Sequence, residues 1–572
     1  MEHSEGRNRI IIEGVSPEVD GGRCPSKSTI GDTVDVEADI YTDGHDTLSA
    51  LLLYRYENEA KWTEVSMRHL GNDRWHGSFV AEKTGDYVFT IKARLDRLPS
   101  HVVTYPRELV IAVDREKAGF SAWYEMFPRS ASSVPGRHGT FKECEARLPY
   151  IAEMGFDVLY LPPIHPIGKT GRKGKNNTLP AGPNDPGTPW AIGANEGGHK
   201  AINPQLGTLA DFKHLLAKAK EFNIEIALDI AFQCSPDHPY VKEHPEWFLL
   251  RPDGTIQYAE NPPKKYQDIY PLNFETEDRQ GLWEELKNII IYWAKQGVRI
   301  FRVDNPHTKP FPFWEWLLSG VKKEYPDVIF LAEAFTRPKI MYRLAKLGFT
   351  ESYTYFTWRN HKKDITEYLT ELTQTPVKDF FRPNFWPNTP DILPEYLQTG
   401  GRGGFMARLV LAATLSSNYG IYGPAFELME DKPREPGSEE YLNSEKYEIK
   451  HWDIERTDSL KDFIGRINRI RRGNAALQKN RSLWFNATSN DQLICYSKHT
   501  DDLTNIIITV VNLDPHTLQS GTVNAPLKAW GFDAEKPYQV HDLLNDKVYT
   551  WRGEWNYVEL NPAICPAHVF LL

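Results

Sequence analysis

From about residue 119, short apolar runs alternate with helix-period stretches, and this alternation constrains the fold more than any other feature of the chain. Trp123-Tyr124-Glu125-Met126-Phe127 reads as a first strand and Val158 to Leu161 as a second. Ile224 to Asp229, Arg299 to Asp304 and Val328 to Glu333 follow as the third, fourth and fifth. Ser352 to Phe356, Arg382 to Phe385 and Asn418 to Tyr422 complete a set of eight. Between them, apolar residues recur at helical spacing, as in Phe212, Leu215, Leu216, Ala219 and Phe222, and in Leu282, Leu286, Ile289 and Trp293. Eight such units in about 350 residues predict an α/β fold of the (β/α)8 TIM barrel type, with enlarged loops at 168–210 and 231–280. An open doubly wound sheet competes with that reading. It usually carries a glycine-rich phosphate loop after its first strand, and none follows Phe127.

The flanks read differently. Val34, Val36, Ala38 and Ile40 alternate with acidic residues at strand period, and Gly21-Gly22 and Asn72-Asp73 supply turns. About seven short strands predict an N-terminal β-sandwich over residues 1–115. The barrel then covers 116–478, and a second β-sandwich covers 479–572, with strands at Ile494 to Tyr496, Asn505 to Val511 and His568 to Leu571.

Composition narrows the function. A net charge of -10 with no basic run argues against a nucleic-acid or membrane-surface binder. Five scattered cysteines without metal spacing point to free thiols in a reducing compartment. No apolar leader or membrane-length segment is visible, so a cytoplasmic protein is expected. No cofactor and no metal site are expected.

In a barrel, residues at C-terminal strand ends converge on one mouth. Asp229 ends strand three, Arg302 and Asp304 end strand four, Glu333 ends strand five, and Asp391 lies just past strand seven. An Arg-x-Asp alone reads equally as a structural ion pair. Four carboxylates and an arginine at one mouth read as a reaction centre. Paired carboxylates without a Cys/His ligand set suit chemistry at an acetal carbon. Asp304 is the expected nucleophile, kept ionised by Arg302. Glu333 is the expected acid/base, its pKa raised by Asp304 and by burial. Asp391 is expected to hold sugar hydroxyls and to stabilise the oxocarbenium-like transition state.

Asp229, Arg302-Val303-Asp304, Glu333 and Asp391 resemble the four motif positions of the α-amylase clan, glycoside hydrolase family 13. Two of its usual histidines are absent: the first motif runs on to Gln233-Cys234-Ser235 without Asn-His, and Pro390 stands before Asp391. With those departures, the chain is similar to the bacterial α-1,4-glucan:maltose-1-phosphate maltosyltransferase subfamily. The resemblance rests on Trp123 to Ser130 (WYEMFPRS), Leu161 to Lys169, Glu196 to His199, Gln233 to Pro239, Ala259 to Pro271, Phe301 to Pro310 and Asn384 to Asp391. It implies maltosyl transfer from an α-maltose 1-phosphate donor to an α-1,4-glucan or maltooligosaccharide acceptor. It also implies that Asn261, Lys264 and Tyr266 contact the phosphate, and that Lys173, Gln233 and Asn305 contact the donor sugar. A hydrolase or 4-α-glucanotransferase of the same clan, acting on unphosphorylated α-glucan, is the alternative; a non-catalytic glucan-binding barrel is a more distant one. His199, His238 and His307 receive no role. The family's helical insertion before the barrel is missing here, since Val113 to Phe120 leads almost directly into Trp123. That puts the family's homodimer in question for this chain.

Overall fold

The computed structural model describes residues 9–98, 100–261 and 264–572, with Asn261 described through its backbone alone. Eight parallel strands form the central sheet: β1 Ser121–Glu125, β2 Val158–Leu161, β3 Glu225–Ile230, β4 Ile300–Val303, β5 Ile329–Ala332, β6 Glu351–Ser352, β7 Asn384–Phe385 and β8 Asn418–Tyr422. Their order is β6-β5-β4-β3-β2-β1-β8-β7. Ser352 donates its N–H to the Arg382 carbonyl at 3.0 Å and bridges Pro383 in parallel, which joins β6 to β7 and closes the barrel. Every residue of β4 and β5 is buried, as strands covered on both faces require.

Helices pack outside. Phe141–Glu153 and Leu209–Glu221 each begin with a reciprocal cap, Thr140 with Glu143 and Thr208 with Asp211, which satisfies otherwise orphaned N–H groups. Leu282, Leu286, Ile289 and Trp293 of helix Arg279–Lys295 are fully buried. Phe222 departs from its expected place. It caps helix Leu209–Glu221 instead of joining its apolar face, and it is exposed. The sixth strand is also shorter than expected. Only Glu351–Ser352 pairs, because the Thr354 hydroxyl accepts from Phe356 N–H and starts the 3-10 turn Tyr355–Trp358.

Among the described residues, ten strands, not seven, lie between Ile10 and Asp114, in a four-stranded and a six-stranded sheet. Part of the excess comes from Asn72-Asp73, whose positive φ values of 47° and 59° build a tight hairpin between Arg68–Gly71 and Arg74–Val80. Val36, Ala38 and Ile40 face the core between the sheets. Strand Leu109–Asp114 passes through one helical turn, Glu116–Gly119, straight into β1. At this floor of the barrel Asp114 is ion-paired with Lys322 at 3.0 Å and Arg382 at 2.5 Å. Beyond the barrel, Trp484–Asn486, Leu493–His499, Ile506–Asn512, Ala567–Leu571, Pro537–Asp542 and Lys547–Arg552 form a six-stranded sheet, beside a two-stranded sheet of Gln519–Asn524 and Trp555–Leu560. The five cysteines are unpaired. Among the described residues no helix is long and apolar enough to cross a membrane.

Candidate active site

Strand register brings the charged groups together. Asp229 of β3 lies opposite Arg302 of β4, and Val303 lies opposite Ala332 of β5, so Asp304 and Glu333 emerge side by side. Arg302 is the hub. Its Nη1 is 2.9 Å from both Asp229 Oδ2 and Asp304 Oδ1, and its Nη2 is 2.7 Å from Glu333 Oε1. Tyr160 and Tyr353 flank the guanidinium, each with its ring centre 5.8 Å away. Three carboxylates thus share one buried cation.

The consequence is a split in acidity. Burial pushes Asp304 upward, but Arg302 and then Lys309 outweigh it and hold the carboxyl below its ordinary value. Burial raises Glu333 well above its ordinary value; Arg302 opposes the shift, while Asp304 and Asp391 add to it. Asp229 rises to about 7, chiefly through burial, with Arg302 opposing. It sits beneath the other two with no exposed side-chain surface, and it also accepts from Tyr160 Oη at 2.5 Å and Trp190 Nε1 at 3.2 Å. Asp229 therefore anchors Arg302 and does not face the cavity.

Asn305 follows in the left-handed region at φ 41°, a conformation asparagine tolerates better than most residues. The turn aims its backbone N–H at Glu333 Oε2 (3.2 Å) and its Nδ2 at Asp304 Oδ2 (3.3 Å).

A cavity of about 1070 Å³ opens over these groups and is lined by Asp304, Glu333, Asp391, Lys173, Gln233, Asn305, Lys264 and Tyr266. Eight of the ten expected site residues thus face one space; Arg302 lies beneath it, and the Asn261 side chain falls outside the described residues. Lys173 is buried, donating to Lys265 O at 3.1 Å and Gln267 Oε1 at 2.6 Å. Gln233 donates to Trp190 O at 3.2 Å. Lys264 and Tyr266 stand on one strand of the hairpin Ala259–Asn261/Lys264–Tyr266. Asp391 is ion-paired with Lys446.

Lys309, Lys446, Arg434 and Glu440 also line the cavity, and the sequence reading missed them. Lys309 had a signal, since it lies inside the Phe301 to Pro310 stretch. Its Nζ donates to Asn305 O at 3.2 Å, bringing a cation back beside Asp304. The other three come from an aperiodic segment with no motif.

His199 and His238 form a structural relay. Tyr240 N–H donates to His238 Nδ1 at 3.0 Å, which leaves Nε2–H to donate to His199 Nδ1 at 3.1 Å; His199 Nε2–H then donates to Ala231 O at 2.9 Å. Burial lowers both, His199 to about 4 and His238 to about 2, in keeping with neutral rings. His307 lines the cavity. No metal site was expected, yet among the described residues His244, Glu246 and Asp278 bring ligand atoms within 4.8 Å of one another, away from the cavity. Both Asp278 oxygens already accept hydrogen bonds, from Gly281 N–H and Trp247 Nε1–H.

Solved structures share this architecture. An α-amylase from Lactobacillus plantarum aligns with a TM-score of 0.62 at 19% identity, over 80% of this chain and 100% of that one. A cyclomaltodextrinase aligns with a TM-score of 0.59 at 17% identity, over 96% and 98%. At such identities the likeness speaks for the fold. Sequence comparison goes further. Residues 8–116 match the family described as "Alpha-1,4-glucan:maltose-1-phosphate maltosyltransferase, domain N/S", residues 125–284 match "Alpha amylase, catalytic domain", and residues 485–572 match "GLGE, C-terminal". The chain is 51% identical to a protein of Methylacidiphilum infernorum named alpha-1,4-glucan:maltose-1-phosphate maltosyltransferase, over 99% of this chain and 96% of that protein. It is 49% identical to one of the same name from Chlorobaculum tepidum, over 99% and 97%. The first alignment spans 643 positions against 572 residues here, so that relative carries segments without a counterpart in this chain. With all three regions matched and relatives aligned nearly end to end, the chain belongs to the α-1,4-glucan:maltose-1-phosphate maltosyltransferase family.

Proposed function

We propose that this protein moves maltosyl units from α-maltose 1-phosphate to the non-reducing 4-hydroxyl of α-1,4-glucans, releasing phosphate with retention of configuration. The observation that carries the reading is the division of labour around Arg302. One carboxyl is held low, its neighbour is held high, and both face a cavity that also contains Lys264 and Tyr266.

In the first step, Glu333 gives its proton to the oxygen bridging phosphate and sugar while Asp304 attacks the anomeric carbon. The C–O bond to phosphate breaks, phosphate leaves, and a β-maltosyl ester forms on Asp304. In the second step, Glu333 takes the proton of the acceptor's 4-hydroxyl. That oxygen displaces Asp304, and two inversions restore the α-linkage. Asp391, oriented by Lys446, holds sugar hydroxyls beside the developing positive charge. Asn261, Lys264 and Tyr266 receive the phosphate through charge-assisted hydrogen bonds. Lys173, Gln233 and Asn305 hold the donor sugar. Because the insertion through which the family is expected to dimerise is missing, the reading does not require a dimer.

Incubation with maltose 1-phosphate and a maltooligosaccharide tests it. Phosphate release together with products longer by two glucose units supports the transfer. Conversion of unphosphorylated glucan, with no phosphate released from that donor, favours the clan hydrolase or 4-α-glucanotransferase instead.

A further inference from the structure

Lys264 already has an anionic partner in this structure. Its ammonium is ion-paired with Glu440, whose second carboxylate oxygen is paired with Arg434. The two sides of the Lys264 pair differ in rigidity. Glu440 stands on a self-bonded loop: Pro433 and Tyr441 form an antiparallel bridge, Arg434 N–H donates to Glu440 O at 2.7 Å, and Glu440 N–H donates to Ser438 Oγ at 3.1 Å. Glu439 pins that loop to the barrel, accepting from Trp358 Nε1 at 2.7 Å through its carboxylate and from Leu393 N–H at 2.7 Å through its carbonyl. Lys264 is the adaptable member, a four-carbon arm on a three-residue strand, 44% exposed against 20% for Glu440.

We infer that Glu440 is an internal counter-ion that competes with the donor's phosphate for Lys264 and so sets how tightly phosphate is held before and after transfer. The inference rests on Lys264 as a phosphate contact. When the dianion enters, Lys264 turns to it. Glu440 keeps Arg434, so no carboxylate is left uncompensated at the cavity wall. Once the bond to the anomeric carbon has broken, Glu440 reclaims Lys264 and the departing phosphate loses a contact. A neutral leaving group cannot draw the lysine from a carboxylate, so Glu440 also selects for charged donors.

The test is the full chain carrying Glu440→Gln, which keeps the side-chain shape. Inorganic phosphate should inhibit this variant at concentrations about three- to tenfold lower than the parent, with the KM for maltose 1-phosphate falling in step and kcat changing less. Unchanged or weaker phosphate inhibition overturns the inference, because a carboxylate that merely orients Lys264 or props the loop predicts that result. Lys264→Ala separates the two layers. If it leaves phosphate inhibition unchanged, the phosphate-contact reading fails and the inference fails with it. If it weakens inhibition while Glu440→Gln does not tighten it, the inference alone fails. In the double variant the gain from Glu440→Gln should vanish; its persistence overturns competition for Lys264.

Discussion

The barrel buries charge at both ends, and the two clusters are built in opposite ways. At the mouth, one guanidinium, Arg302, is ion-paired with Asp229, Asp304 and Glu333 together. At the floor, one carboxylate, Asp114, faces two cations, Lys322 and Arg382. Asp114 is thereby held well below the ordinary carboxylate range: burial pushes it up, and both cations together push it further down. The mouth cannot satisfy all its members. Its carboxylates compete for one guanidinium, and their acidities separate. The same ingredients therefore give a bolt between the N-terminal sandwich and the barrel at one end, and a nucleophile and proton donor at the other.

Substitutions should separate the two ends, beginning with the largest effect. Asp304→Asn should lower the rate of phosphate release by about 10⁴-fold or more. It also removes one of three competing carboxylates, so the melting temperature should hold or rise. A clear loss of thermal stability would mean that the mouth, too, is a structural clamp. At the floor, Asp114→Asn strands two cations and should cost about 3–5 kcal/mol in denaturant unfolding. Its kcat should stay within about twofold of the parent, since nothing at the floor touches the cavity.

The pH responses should also diverge. Asp114 has a folded pKa below its ordinary 3.8, so its stabilisation is fully present above that value and is lost as pH falls towards the folded one. The stability gap between parent and Asp114→Asn should be level from about pH 5 to 7 and should close in acid. Glu333 has a raised pKa and must be protonated to expel phosphate. The value of kcat/KM should hold in mild acid and fall as pH rises through that raised value, with the same limb in Asp114→Asn as in its parent. Smallest of all, Lys264→Ala should raise the donor KM by about tenfold, leaving kcat less affected and the melting curve unmoved, as expected for a half-exposed side chain.

Much of the mouth was legible because a parallel strand ends where its apolar run ends. Asp304 and Glu333 are the first polar residues after Val303 and Ala332, and alternation along the strand puts Arg302 and Asp304 on one side. Lys309 was harder to place, since the turn Pro306–Thr308 folds it back by tertiary geometry that spacing does not encode. Glu440, Arg434 and Lys446 lie in a stretch whose conformation comes from bridges and side-chain bonds to distant residues, such as Trp358 with Glu439 and Asp391 with Lys446. Asp229 shows the converse. Its place near the end of the third strand was legible in the sequence, although the strand runs one residue further, to Ile230; its burial under Tyr160 and Trp190 was not legible, and burial makes it an anchor for Arg302. In the N-terminal sandwich, alternation located the long buried strands and passed over short exposed ones such as Arg68–Gly71.

The central claim is that Asp304 carries the maltosyl group between donor and acceptor, and intact-protein mass spectrometry tests it most directly. A Glu333→Gln variant lacks both the acid of the first step and the base of the second, so the donor is α-maltosyl fluoride, whose fluoride leaves without a proton; with no acceptor the variant should gain the mass of one maltosyl group, mapping by peptide analysis to Asp304. A variant that releases fluoride without gaining that mass, or that carries it on another residue, would contradict the account.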